Sequence, residues 1–131
     1  MKFIGVVFLF LAITSFSQSL PIHPKLSATY EPTYLERIQK TNPMLFKRWT
    51  YYADHAYYVT EDIPKKLQTN QTSIKTDPLD INIFLLEKRY PFLKRDWNIP
   101  KAYKIKNTEK VLVYYSGKQF NEAFQKWLTK Q

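Results

Sequence analysis

The chain contains no cysteine and only two glycines, Gly5 and Gly117. Without cysteine there can be no disulfide framework and no thiolate metal site, so a small domain of this sequence must be held together by packing alone. Phosphate-binding loops need several glycines, because the backbone has to approach the phosphates closely. The sequence therefore excludes a P-loop and a dinucleotide-binding fold.

An uncharged apolar run occupies the N-terminus. Lys2 is followed by residues 3–13, which carry no charge, and then by a short segment in which Ser15 and Ser17 can fill the small positions that a signal peptidase requires. This layout predicts a secretory signal peptide over residues 1–17. A membrane span needs about 20 apolar residues, so we expect only a transient contact with the membrane, through the signal peptide. The expected location is periplasmic or secreted.

Residues 18–30 are polar and are interrupted by Pro21 and Pro24, which predicts a flexible lead-in. The remaining residues 31–131 are enough for one domain, because a chain of about this size buries roughly two thirds of its surface on folding.

The first part of this domain carries helix signals. Pro32 predicts a short helix through Lys40, and Asn42 with Pro43 predicts an N-cap and first turn for a helix over about 43–56. Residues 57–60 are β-prone. Residues 65–76 are polar and without periodicity, which predicts a mobile loop.

The segment after this loop is ambiguous. Asp77 is a candidate N-cap for a helix over 78–89. The alternation of Ile81, Ile83 and Leu85 with Asn82 and Phe84 also suits a strand, so residues 81–86 remain open between helix and strand.

The C-terminal third has the clearest pattern. Two β-prone runs, 102–105 and 110–115, surround a polar turn and predict a hairpin. Ser116 and Gln119 form an S-x-x-Q capping box, and an apolar stripe on the following helix predicts that it covers the hairpin. We therefore predict a small two-layer α+β domain, with N-terminal helices and a C-terminal β-hairpin followed by an amphipathic helix.

The composition is basic and aromatic. The chain has 20 Lys and Arg against 11 Asp and Glu, a net charge of +9, together with ten Tyr and three Trp. Positive charge favours acidic partners, but the basic residues are dispersed, so no arm or helix specific for nucleic acid is predicted. We expect an envelope or secreted protein as the partner, with an acidic polymer as the alternative.

Tests for catalytic motifs give no match. Ser116 lacks the first glycine of a nucleophile elbow, and neighbouring Asp54 and His55 on a helix do not converge on one metal ion. No pair of carboxylates stands out, and the sequence suggests no cofactor and no metal.

The remaining candidate is a surface near the hairpin, where basic residues alternate with aromatic ones. This candidate binding set consists of Arg95, Trp97, Lys101, Tyr103, Lys104 and Lys106. Such a set can bind an acidic chain by charge and stacking. We expect Lys104 and Lys106 on the opposite face from Tyr103 and Ile105.

These observations favour an exported, non-enzymatic binding or interaction domain of the cell envelope or secretome. The alternative is a small hydrolase acting on an acidic envelope polymer. For the binding domain we expect no deep polar pocket and an exposed aromatic face that contains some of Tyr57, Tyr58, Trp97 and Tyr103.

Overall fold

The computed structural model describes residues 21–62, 67 and 69–131. The predicted signal peptide, 1–17, and the start of the lead-in, 18–20, lie outside these residues. The described elements are α1 (Pro24–Ser27), α2 (Pro32–Thr41), α3 (Pro43–His55), β1 (Tyr57–Thr60), β2 (Thr69–Ile74), α4 (Ile83–Arg89), β3 (Lys101–Ile105), β4 (Val111–Tyr114) and α5 (Gly117–Thr129).

The strands form one mixed sheet in the order β1-β4-β3-β2. Strand β4 lies antiparallel to both β1 and β3, whereas β2 lies parallel to β3. The helices pack on one face of this sheet, so the predicted α+β class is confirmed. None of the helices within the described ranges has the length and apolar character needed to cross a membrane.

Alternation along the hairpin divides its side chains between the two faces of the sheet. Tyr103 and Leu112 belong to the main core with the helices, while Ala102 and Val113 belong to a smaller cluster with Tyr58. The turn between β3 and β4 contains Asn107 with φ of 64°, a left-handed conformation that asparagine tolerates better than most residues. The predicted hairpin is confirmed.

Polar side chains cap the starts of α3, α4 and α5. Asn42 Oδ1 accepts a hydrogen bond from the Leu45 amide at the start of α3. Both bonds of the predicted capping box are present at α5, where Ser116 and Gln119 bond each other's backbone amides. Asn82 Oδ1 accepts from two amides at the start of α4.

The predicted helix over 78–89 is wrong in its first half. Asp77 caps a tight turn instead: its Oδ1 accepts from the Leu79 amide, and its carbonyl accepts from the Asp80 amide. This local bonding competes with helix formation, so the helix starts only at Ile83. Residues 83–86 are therefore helical. Most of the segment 81–86, for which the sequence allowed either a helix or a strand, is thus helix.

The prediction of a mobile loop over 65–76 is also wrong where the structure describes the segment. Residues 69–74 form β2 at the edge of the sheet, and Ile74 is fully buried. The strand is held by parallel pairing with β3, from Thr69 opposite Ala102 to Ile74 opposite Ile105. A long-range pairing of this kind leaves no signal in the local pattern.

The lead-in predicted to be flexible is instead attached to the fold over its described part. Leu26 of α1 is fully buried in the main core. Lys25 Nζ donates to the Ala53 carbonyl, to Asp54 Oδ1 and to Tyr57 Oη, each at 2.9 Å. This lysine thereby satisfies a carbonyl at the C-terminal end of α3 and ties α1 to β1.

Gly117 is required by a close approach between α5 and the preceding segment. A Cβ at this position would lie 2.6 Å from Trp97 Cε3 and 3.2 Å from Trp97 Cα. The Gly117 amide donates to the Asp96 carbonyl, and the Lys118 amide donates to the Trp97 carbonyl. There is consequently no room for a side chain unless this segment moves away.

We expect Gly117→Ala to lower the free energy of unfolding by roughly 1–3 kcal/mol, the usual effect of overpacking, in spite of alanine's higher helix propensity. Chemical denaturation of the variant measures the change. Lys118→Ala, at an exposed neighbouring position, is the control and should differ little from wild type. An unchanged or raised stability of Gly117→Ala would contradict the close contact with Trp97.

Candidate functional site

The candidate site is a cavity of about 230 Å³ between α3, α4 and the segment that precedes β3. We call it the arginine–aromatic cleft. It is lined by Tyr30, Leu45, Arg48, Trp49, Tyr52, Phe84, Glu87 and Arg95.

The floor of the cleft is a carboxylate shared by two tyrosines. Oε1 of Glu87 accepts hydrogen bonds from the hydroxyls of Tyr52 and Tyr114, the latter at 3.0 Å. Burial raises the pKa of Glu87, while the two tyrosine hydrogen bonds and the charge of Arg95 act in the opposite direction. Burial and the nearby carboxylate together raise the pKa of both tyrosines, so these hydroxyls are firm donors.

Two guanidinium groups lie over aromatic rings beside this floor. Arg95 Cζ is 4.7 Å from the ring centroid of Tyr52 and 4.3 Å from that of Phe120. Arg48 Cζ is 4.9 Å from the Phe120 centroid and 5.5 Å from that of Phe124. Partial burial, and secondarily the charge of Arg95, lower the pKa of Arg48. The two cations are therefore close enough to repel each other.

The arginines are not matched by ion pairs. In the described part of the chain, the ion pairs are those of Asp54 with His23 and Lys25. The Nε of Arg95 is buried and has no hydrogen-bond partner. Since an unsatisfied buried donor costs about 1–3 kcal/mol and more when charged, this group is suited to an acceptor that enters the cleft.

One wall of the cleft is aromatic. The rings of Tyr30 and Trp49 stack with centroids 5.6 Å apart, and Phe84 meets Tyr30 edge to face at 6.1 Å. Lys88 Nζ lies 4.4 Å from the Tyr30 centroid. A ligand in the cleft would meet flat apolar surface on this side and positive charge on the other.

The structure separates the six residues of the predicted binding set. Arg95 lines the cleft, whereas Lys104 and Lys106 are exposed on the hairpin and Lys101 is half-buried. Trp97 is 55% exposed next to α5. The structure thus brings Arg95 together with residues that the sequence did not single out.

Tyr103 requires a correction. It is only 1% exposed and packs in the main core, edge to face with Tyr114. The predicted alternation on β3 is confirmed, since Tyr103 and Ile105 are buried while Lys104 is exposed. The same alternation excludes Tyr103 from a surface that binds a partner, because the helices cover its face of the sheet.

The sequence also predicted the absence of a deep polar pocket. Besides the cleft there is a cavity of about 310 Å³ that is open to the surface, with several polar side chains beside Phe120 and Ala123 in its wall. Sequence reasoning missed Arg48, Tyr52 and Glu87 as site residues. A usable signal was the position of Glu87, a charged residue one turn beyond the buried Ile83 and Phe84 on a short apolar helix.

No cluster of three or more His, Asp or Glu suited to a metal ion occurs among the residues that the structure describes. Comparison with protein-family models, curated proteins and solved structures gives no match to this chain.

We expect the stability of the protein to depend on pH through Glu87. Its folded-state pKa is raised from the usual 4.5, so its contribution to stability is present below about pH 4.5 and is lost as pH rises through the folded pKa. Glu87→Gln retains an oxygen that can accept from Tyr52 and Tyr114 but cannot ionise.

The free energy of unfolding of Glu87→Gln should therefore rise relative to wild type between pH 4 and pH 7, as measured by urea denaturation at about four pH values across this range. Glu122→Gln, an exposed carboxylate on α5, serves as the matched control. A constant difference between wild type and Glu87→Gln across the range would show that Glu87 is not destabilised by burial.

Proposed function

We propose that the protein is an exported, non-enzymatic binding domain of the cell envelope or secretome. In this proposal the arginine–aromatic cleft receives an acidic group of a secreted or envelope protein. The observation that carries it is the pair Arg48 and Arg95, two partly buried cations without an ion pair in the described chain, of which Arg95 has a buried unpartnered Nε.

An acidic group can supply the negatively charged hydrogen-bond acceptor that these arginines lack among the described residues. A carboxylate accepts two parallel hydrogen bonds from a guanidinium, and such charge-assisted bonds are about twice as strong as neutral ones. The hydroxyls of Tyr52 and Tyr114 already donate to Glu87, which leaves the arginines as the donors for a ligand. The stacked Tyr30 and Trp49 supply apolar contact to the part of the partner that carries the acid.

The proposed export is supported by the uncharged apolar run at the N-terminus of the sequence. The support comes from the sequence alone, because residues 1–17 lie outside the described structure. The basic net charge of +9 supports an acidic partner in the same compartment. An acidic polymer is the second candidate partner, and the exposed Lys104 and Lys106 on the hairpin are the residues that support it.

One observation favours the alternative, a small hydrolase acting on an acidic envelope polymer. Glu87 is a largely buried carboxyl group with a raised pKa, which is a property of general acids. Glycoside hydrolysis ordinarily requires a second carboxylate at about 5–10 Å, however, and Glu87 is the single carboxylate in the described lining of the cleft. Binding is therefore the better-supported function.

The proposal is tested by capturing partners from the envelope and secreted fractions of the source cells with the tagged protein. Captured proteins are identified by mass spectrometry at low and at raised salt. Three baits are compared: wild type, Arg48→Gln and Lys104→Ala, which removes an exposed cation outside the cleft.

We expect an acidic protein that wild type and Lys104→Ala retain equally and that Arg48→Gln loses by about tenfold or more, since a hydrogen bond to a charged group contributes about 1.5–3 kcal/mol. Equal retention by all three baits would show that the cleft is not the binding site. Loss with Lys104→Ala at raised salt would instead favour an acidic polymer bound at the hairpin.

A further inference from the structure

A second cavity, of about 310 Å³, lies between the C-terminal end of α3, the start of β1, the residue that follows β4, and the first turns of α5. We call it the histidine pocket. The polar side chains in its wall are Tyr51, Asp54, His55, Tyr57, Tyr115 and Gln119. It shares no lining residue with the arginine–aromatic cleft, so the two sites can be tested separately.

His55 is held in one orientation and one tautomer. Its ring stacks on Tyr51 with centroids 4.1 Å apart and an interplanar angle of 5°. Its Nδ1 lies 3.0 Å from the Tyr51 carbonyl oxygen. Because a carbonyl oxygen only accepts, Nδ1 must carry the proton, and in the neutral ring Nε2 is then an acceptor. The pocket thus has a fixed acceptor.

Gln119 supplies a donor whose position is also fixed. Its Oε1 accepts from the Ser116 amide at 3.0 Å as part of the capping box of α5. This bond identifies which end of the side-chain amide faces the backbone and leaves the NH₂ group for a ligand. The hydroxyl of Tyr115, which can donate or accept, completes the set.

The pocket carries little net charge. Asp54, its single carboxylate in the described wall, is 2.7 Å from His23 Nε2 and 2.9 Å from Lys25 Nζ. His23 Nδ1 accepts from the Lys25 amide, so Nε2 is the nitrogen that donates to Asp54. With its carboxylate already paired, the pocket does not select a cationic ligand, and it offers no unpaired cation to an anion.

We propose that the histidine pocket binds a neutral ring that carries several hydroxyl groups, such as a hexose. A hydroxyl can donate to His55 Nε2, and a second can accept from the Gln119 amide group. The C–H faces of such a ring suit the apolar remainder of the wall, Phe120 and Ala123. Small-ligand sites typically combine about 300 Å³ or more of mostly apolar cavity with a few fixed polar groups.

The test is a titration of the ¹⁵N-labelled protein followed by NMR. The probes are glucose, galactose and N-acetylglucosamine, with glucuronate as a charged counterpart. A trisaccharide of the sugar that binds best distinguishes a site for free sugar from one for the end of a glycan chain, because a chain end should bind at least as tightly as the free unit.

Two variants each remove one group proposed to contact the ligand. His55→Phe keeps a ring on Tyr51 but lacks Nε2, and it also loses the hydrogen bond from Nδ1 to the Tyr51 carbonyl. Gln119→Glu keeps an oxygen that caps α5 but lacks the amide donor. Lys40→Ala, at an exposed position on α2, is the control, and thermal unfolding confirms that each variant remains folded.

We expect at least one neutral sugar to bind with a roughly millimolar dissociation constant and to shift resonances of His55, Tyr115 and Gln119. Each pocket variant should weaken binding about five- to tenfold, the effect of one lost neutral hydrogen bond, while Lys40→Ala binds as wild type. No saturable shift with any neutral sugar, tighter binding of glucuronate, or unchanged binding by both folded variants would overturn the proposal. Because the arginine–aromatic cleft has other residues, failure here leaves the acidic-ligand proposal standing.

Discussion

Two hydrogen bonds to the carboxyl group of Glu87 set how the helices meet the sheet beside the cleft. Glu87 accepts from Tyr52 of α3 and Tyr114 of β4, so one side chain of α4 links both helices to the sheet. A buried polar group is unfavourable unless it is hydrogen-bonded, so the arrangement of the three elements that brings both hydroxyls to Glu87 is favoured. The cleft beside it is a consequence of this docking.

Aromatic packing stabilises this domain, whose sequence contains no cysteine and therefore no disulfide. Phe120 and Phe124 of α5 stack 6.2 Å apart, and Tyr51 contacts both rings and Trp127. Arg48 and Arg95 lie over the same rings, where cation–π attraction contributes about 0.5–2 kcal/mol per contact. These arginines are thus part of the core boundary and also the cations exposed to the cleft.

The same packing explains why the two cavities differ in character. In the cleft, neither arginine forms an ion pair among the described residues, although the charge of Arg95 acts on Glu87, whereas in the histidine pocket Asp54 is paired with His23 and Lys25. The two cavities are therefore suited to ligands of different charge, an acidic group in the first and a neutral polar ring in the second.

What the sequence predicted correctly depends on local chemistry. The proline starts of α2 and α3 and the capping box of α5 are set by residues within one turn of each other, and all three are present. The hairpin follows from alternation around a polar turn. These signals were sufficient for the α+β class.

What it missed depends on contacts between distant residues. Strand β2 exists because of parallel pairing with β3, and Leu26 packs in the core although it lies in a polar, proline-containing segment. The site was missed for the same reason, because Arg48, Glu87 and Arg95 come from three segments and only the tertiary fold places them together. The sequence predicts Arg95 as a binding residue because it is basic, and groups it with the lysines of the hairpin. In the fold Arg95 lines the cleft, and those lysines do not.

The most direct test of the acidic-ligand cleft is the Nε–H resonance of Arg95 in ¹H–¹⁵N spectra, followed during titration with acetate and with inorganic phosphate. We predict a saturable shift of this resonance, because the buried Nε has no partner in the described structure and gains one from the acid. The shift should be the same in Lys104→Ala and should need a higher acid concentration in Arg48→Gln. An Arg95 resonance that does not move, while those of exposed lysines do, would contradict the central claim.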